Sequence, residues 1–237
     1  MKTKRLIILA TVVVAVLILP FSAKACIVTG NIIVTATDDR GSDTKTFNIT
    51  GETGSDGKFV WELAQGVTIL DGAIESLKLT TNIDPEAGTE FGVRAGNSTT
   101  TFNIFSDVVV FDPMTNPDAS ASAGITLTDR AGSTPGATVT GLFDGGKINQ
   151  ARYNGATAFA NLVDTFSVTG NTLTHSESKP LSGSQIINDT LTSIESDFSF
   201  TLTAKDAAAG TSDFSVTPEP TTICLLGLGA MALRRRK

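Results

Sequence analysis

The chain has 237 residues, 41% hydrophobic but only 6% aromatic, with a formal net charge of −6. Eight of its 18 basic residues (Lys2, Lys4, Arg5, Lys24, Arg234, Arg235, Arg236, Lys237) sit at the two ends, with one acid, Glu219; the middle sets ten basic residues against 23 acidic ones and nets about −13. Such a surface argues against nucleic acid as a partner, because that binding rests on Lys and Arg neutralising phosphates.

Met1 to Ala25 reads as a secretory signal peptide. Lys2, Lys4 and Arg5 make a positive start, Leu6 to Leu19 is apolar apart from Thr11, and Pro20 ends the helix. Ala23 and Ala25 place small residues where signal peptidase reads, so cleavage is expected after Ala25. The apolar run is short for a spanning helix of about 20 residues. Two alternatives stay open: an uncleaved N-terminal anchor, and lipid attachment at Cys26, against which Lys24 stands as an unusual lipobox residue. Cys26 and Cys224 are the only cysteines, one beside the cleavage site and the other in the apolar tail. The body therefore has no internal disulfide and closes by packing alone, for which about 190 residues suffice.

The body predicts strands. Ile32 to Thr37, Thr46 to Thr50 and Lys58 to Leu63 alternate apolar and polar residues, the last around Trp61. Ile74 to Thr80 follows, then the long run Thr101 to Phe111, then Ile125 to Thr128 and Phe198 to Thr203. Period-two alternation marks strands with one buried and one solvated face, and the Phe residues that alternate with Thr or Ser are expected in the core. Turn chemistry separates the runs at Asp39 to Asp43, Gly54 to Gly57, Asp84 to Gly88, Asp112 to Pro117 and Asp144 to Lys147. A short helical turn is expected over Thr157 to Asp164, with Phe159, Leu162 and Val163 on one side. Asn116 to Ser120 reads as a loop and is the best place for a boundary, though composition does not shift there.

Strands at this spacing predict an all-β fold: a single antiparallel β-sandwich, jelly-roll-like, flanked by the signal helix and a C-terminal apolar anchor helix. The expected division is 1–25 signal peptide, 26–214 body and 215–237 C-terminal signal. A solenoid would need a fixed repeat, which is not found; a closed barrel stays open as an alternative. An outer-membrane barrel would need aromatic girdles, against one Tyr and one Trp in the whole chain.

The tail has three parts. Pro218-Glu219-Pro220 is rigid, Thr221 to Leu233 is apolar or small, and Arg234, Arg235, Arg236 and Lys237 form a dense positive end. Thirteen or so apolar residues are short for a full span, and terminal cations help by snorkelling. Positive charge stays on the cytoplasmic side, which leaves the body outside.

That order of parts over Val216 to Lys237 resembles the PEP-CTERM family of bacterial sorting signals, with Pro218, Glu219 and Pro220 as the signature tripeptide. The resemblance implies recognition by an exosortase, an integral-membrane, cysteine transpeptidase-like processing enzyme. Cleavage is implied near Pro218-Glu219-Pro220, after transit through the Sec translocon, removal of the leader by signal peptidase and transient anchoring in the inner membrane. It further implies a destination at the cell surface, outer envelope or extracellular matrix, in systems that handle exopolysaccharide. The signal is appended to many unrelated domains, so it does not assign the body. Ala123 to Asp129 and Gly141 to Lys147 resemble Thr-rich β proteins with the same kind of tail, for which no activity is implied.

Chemistry is sparse in the body. His175 is the only histidine and sits in a polar stretch, Thr174 to Glu177, where a surface role is expected rather than that of a catalytic base. No catalytic residue and no metal centre is expected. Asp38, Asp39 and Asp43, or Asp56 in its turn, offer oxygens to calcium without EF-hand spacing, and solvated turn aspartates are the plainer reading. With 23 acids some close carboxylate pair is inevitable, so pairing alone does not argue for glycoside hydrolysis. Trp61 and Tyr153 are either core packing or sugar-stacking platforms. The body is expected to be non-enzymatic, with a carbohydrate-binding, lectin-like module, calcium-dependent or not, as the alternative.

Overall fold

The computed structural model describes residues 27–82, 84–106, 108–130 and 136–218. Their alternating pattern gives seventeen strands: β1 (Ile27–Asp38), β2 (Gly41–Glu52), β3 (Lys58–Glu62), β4 (Val67–Ile69), β5 (Gly72–Asn82), β6 (Glu86–Arg94), β7 (Thr100–Ser106), β8 (Val109–Thr115), β9 (Asp118–Thr128), β10 (Ala137–Gly141), β11 (Lys147–Tyr153), β12 (Thr157–Asp164), β13 (Phe166–Val168), β14 (Thr172–Lys179), β15 (Gln185–Ile186), β16 (Thr190–Leu202) and β17 (Ala207–Thr217). They form two antiparallel sheets. One runs β12-β11-β16-β7-β1-β2, with β8, β10 and β13 beside this path; the other runs β14-β9-β17-β6-β5-β3, with β4 and β15 beside it. The sheets face each other as a sandwich with open edges at β2 and β12, β3 and β14, so the barrel alternative falls away.

Inner and outer residues alternate along the central strands. On β9 the inner set is Ala119, Ala121, Ala123, Ile125 and Leu127, all buried; on β17 it ends with Phe214 and Val216. Small inner residues on that sheet make room for rings from the other. Phe91 of β6 meets Phe198 and Phe200 of β16 at centroid distances of 4.8 and 5.7 Å, and Phe159 of β12 stacks on Phe214 at 5.2 Å. Gly210 is required here: a Cβ at that position would lie 2.3 Å from Phe91 Cε1.

The outer faces carry Thr and Ser at directly opposed positions. Their hydroxyls pair across strands, as in Thr101–Thr201 at 3.2 Å, Ser120–Ser215 at 3.0 Å and Thr126–Thr174 at 2.8 Å. This is the cross-strand pairing expected of opposed hydroxyl residues on a solvated face.

In both sheets one late strand joins two halves. β16 lies between β11 and β7, and β17 between β9 and β6. Strand direction also gives the sandwich two distinct poles. At one, β17 ends opposite Asp118, β1 begins opposite Glu52, and the two-residue turn Asn116–Pro117 carries the chain from one sheet to the other. We call this the terminal pole. At the far pole, the turn after β1 meets the turn before β5 through Arg40 and Asp71, and Ala95 N–H donates to Asp206 O at 3.0 Å.

Three local expectations are corrected. Thr157 to Asp164 is strand β12, in register with β11, not a helical turn. A left-handed Val163 (φ 63°) leaves the neighbours Leu162 and Val163 both inside, and the bulge opposite Ala151/Arg152 inserts Phe159 beside the inward Ala160, which together imitate helical spacing in the sequence. Asp112 to Thr115 belongs to β8, which pairs only with β16 and so tolerates Pro113; the turn narrows to Asn116–Pro117, and Asp118 to Ser120 starts β9. Phe105 is exposed, since its neighbour Ile104 takes the inner position.

Candidate functional site

The C-terminal junction is the first candidate. Val216 is fully inside the core, and its N–H donates to Pro85 O at 3.0 Å. Thr217 pairs with Asp118, and Pro218 is exposed immediately after. A proline there ends the ladder for want of an N–H. Ala23, Ala25, Glu219, Pro220, Arg234, Arg235, Arg236 and Lys237 lie outside the described residues, as do the expected leader and anchor helices. Among the described residues no helix is long and apolar enough to cross a membrane.

The turn aspartates are engaged by groups of the chain itself. Arg40 bridges Asp38 and Asp71, and Asp71 also accepts the backbone and side-chain N–H groups of Asn97, each at 2.9 Å. The Arg40 guanidinium, reinforced by Asn97, holds the Asp71 carboxyl down at about 2. Asp43 pairs with Lys45 at 2.9 Å, and Asp56 accepts Lys58 N–H at 3.1 Å to shape its own turn. Among the described residues, no three of His, Cys, Asp and Glu are grouped as metal ligands.

A buried ionic cluster lies on the outer side of β16, and sequence reading missed it. Glu195 and Asp197 share that side, 6% and 0% exposed. Arg152 stands opposite Glu195 in register; its guanidinium donates to Asp197 and lies 3.1 Å from Glu195 Oε2. Burial pushes the Asp197 carboxyl up to about 7, Arg152 opposes this, and Glu195 adds to it. The spacing Glu195-Ser196-Asp197 signals two acids on one side of a strand, but nothing in the sequence signals that Arg152 comes to meet them. Arg152 therefore bridges the two carboxyls.

On the other sheet, Gly124 floors a shallow groove of about 440 Å³. Ser122, Ser176, Ser178, Thr211 and Asp213 line it. Rows above and below pair their hydroxyls, but among the described residues these four hydroxyls have no side-chain partner. Burial, then the neighbouring Glu86, pushes Asp213 up to about 6. Trp61 and Tyr153 are not part of this groove and not part of one site: Trp61 packs on Phe47 from β3, at one lateral edge, and Tyr153 packs against the core from β11, towards the other. His175 is exposed on β14, its ring stacked on Phe166 at 4.3 Å.

With this geometry in place, comparison decides the first candidate. Residues 216–237 match the model of the PEP-CTERM protein-sorting motif. The chain carries a PEP-CTERM sorting signal. It is therefore an exported protein with a membrane-associated C-terminal signal, sorted by an exosortase as its processing partner. The PEP-CTERM match starts at Val216, inside β17, so the fold and the signal share two residues without a spacer. No curated protein matches the chain. Among solved structures it is similar to a chain in the structure of infectious bursal disease virus Gx strain, at 8% identity and a TM-score of 0.25, covering 84% of this chain and 65% of that one. The alignment thus takes in just under two thirds of the viral chain, and a likeness this slight carries no argument.

Proposed function

We propose that the body is a non-enzymatic module of the cell surface or extracellular matrix, delivered and matured through its PEP-CTERM signal. The observation that supports this most is the seamless junction at Val216 to Pro218: the last core strand leads straight into the processing signal. The sandwich is the cargo of that signal, and its paired-hydroxyl faces suit a hydrated, polymer-rich surrounding. The double variant Pro218→Ala, Pro220→Ala in the native host is expected to leave full-length, membrane-held protein. Mass spectrometry of the mature chain reads both ends at once, and unchanged maturation and location of the double variant would refute the sorting reading.

A second reading, a carbohydrate-binding module, is favoured by the groove over Gly124. Unpaired hydroxyls beside a carboxyl match the donors and acceptors of a polyhydroxylated chain. Retention on matrix polysaccharide in affinity gels, weakened by Thr211→Ala with Asp213→Asn, is the expected result. No retardation by any such polymer would end this reading.

A further inference from the structure

We propose that, while its C-terminal signal is held in the bilayer, the body stands on the membrane on its terminal pole, with its strands along the bilayer normal and the far pole outermost. This rests on the reading of the tail as a membrane-held sorting signal.

Three observations place it. First, the tether is short. Thr217 is still in the ladder opposite Asp118, and the apolar run begins at Thr221. The four residue steps from Thr217 to Thr221 reach at most ~14 Å even when fully extended. Second, the tether is anchored firmly: Val216 is buried and hydrogen-bonded to Pro85, so β17 cannot lengthen it without opening the core. Third, the other end of the body emerges at the same pole, because β1 starts at Ile27 opposite Glu52. Until the leader is cut off, leader and tail therefore leave the body on the same side. The eleven residues of β17 put the far pole ~36 Å further out.

The terminal pole does not itself attract an anionic surface. Asp56, Asp84, Glu86, Asp118 and Asp189 lie there against Lys58 and Lys179. An anionic leaflet attracts clustered Lys and Arg, not carboxylates. The tether alone therefore holds the pole down, and cutting it near Pro218 frees the body.

The test uses the chain without residues 1–25 and with its C-terminal signal intact, in vesicles of phosphatidylethanolamine and phosphatidylglycerol, with Cys26→Ser and Cys224→Ser. A single fluorophore goes on Leu181→Cys at the terminal pole or Asp39→Cys at the far pole, two exposed positions (91% for Leu181; 73% for the Asp39 side chain). A quencher carried on lipid headgroups is expected to quench the Leu181 label several-fold more than the Asp39 label. Inserting about ten Gly and Ser residues after Thr217 should erase the difference, because a flexible linker uncouples orientation from anchoring. Equal quenching without the insert, in chains that float with the vesicles, would overturn the orientation alone. Chains that do not float at all would overturn the anchoring reading and the orientation with it.

Discussion

Asp197 makes the stability of this domain depend on pH in an unusual direction. Its carboxyl is fully buried and titrates at about 7 in the fold, against 3.8 for a free aspartate. The folded state thus binds a proton that the unfolded state has lost between about pH 4 and pH 7. Stability falls as pH rises through that window and levels off above it. A gap of about three pKa units corresponds to about 4 kcal/mol at most, since each unit is worth about 1.4 kcal/mol. Asp197→Asn keeps the shape and removes the titration, while Arg152 keeps Glu195 at 3.1 Å. Urea unfolding of the mature body, followed through its single tryptophan, Trp61, measures both proteins from pH 5 to pH 8. Wild type should lose stability across this range and the variant should lose clearly less, overtaking or matching wild type at pH 8. Asp213 also titrates high, at about 6, but contributes to both proteins and cancels in the difference. Parallel pH profiles for the two proteins would refute the assignment of the slope to Asp197.

Phe200→Ala should destabilise the body by about 3–5 kcal/mol, as Phe200 is fully buried between Phe91 and Phe102; a loss under about 1 kcal/mol in urea unfolding would contradict the packing described. Gly210→Ala should cost about 1–3 kcal/mol by forcing the Phe91 ring aside, and an unchanged melting temperature would count against that contact. Arg40→Ala should raise the Asp71 pKa from about 2 part of the way towards the ordinary range, since Asn97 still donates to it. Carboxyl carbon NMR reads this directly, and a value fixed at about 2 would show that Arg40 is not the main cause.

The all-β character and the two-sheet packing were legible because alternation is a local property: β9 and the last turns of β16 can be read residue by residue. The sorting signal was legible for the same reason, as its three parts are contiguous. What escaped depended on partners distant in sequence. Arg152 meets Glu195 and Asp197 only because β11 pairs with β16. The groove over Gly124 exists only because β14, β9 and β17 lie side by side. The period argument failed at β12, where one bulge at Phe159 and a left-handed backbone at Val163, rather than a helix, put adjacent residues inside. Trp61 and Tyr153 could not be separated from the sequence, because their distance is set by strand order and not by chain spacing.

The position of β16 and β17 in their sheets bears on when this protein can fold. Each is the strand that joins two otherwise separate halves, and both come just before the C-terminal signal. Loop closure over such sequence separations is slow, and the pairings of β17 with β6 and β9 cannot form before residues 207–217 are present. A chain crossing the membrane N-terminus first therefore has almost all of its length across before either sheet can close. Until then only local pairings such as β1 with β2 and β5 with β6 are available to it. Completion of the sandwich and arrival of the sorting signal become nearly one event, because the signal follows the last strand without a spacer.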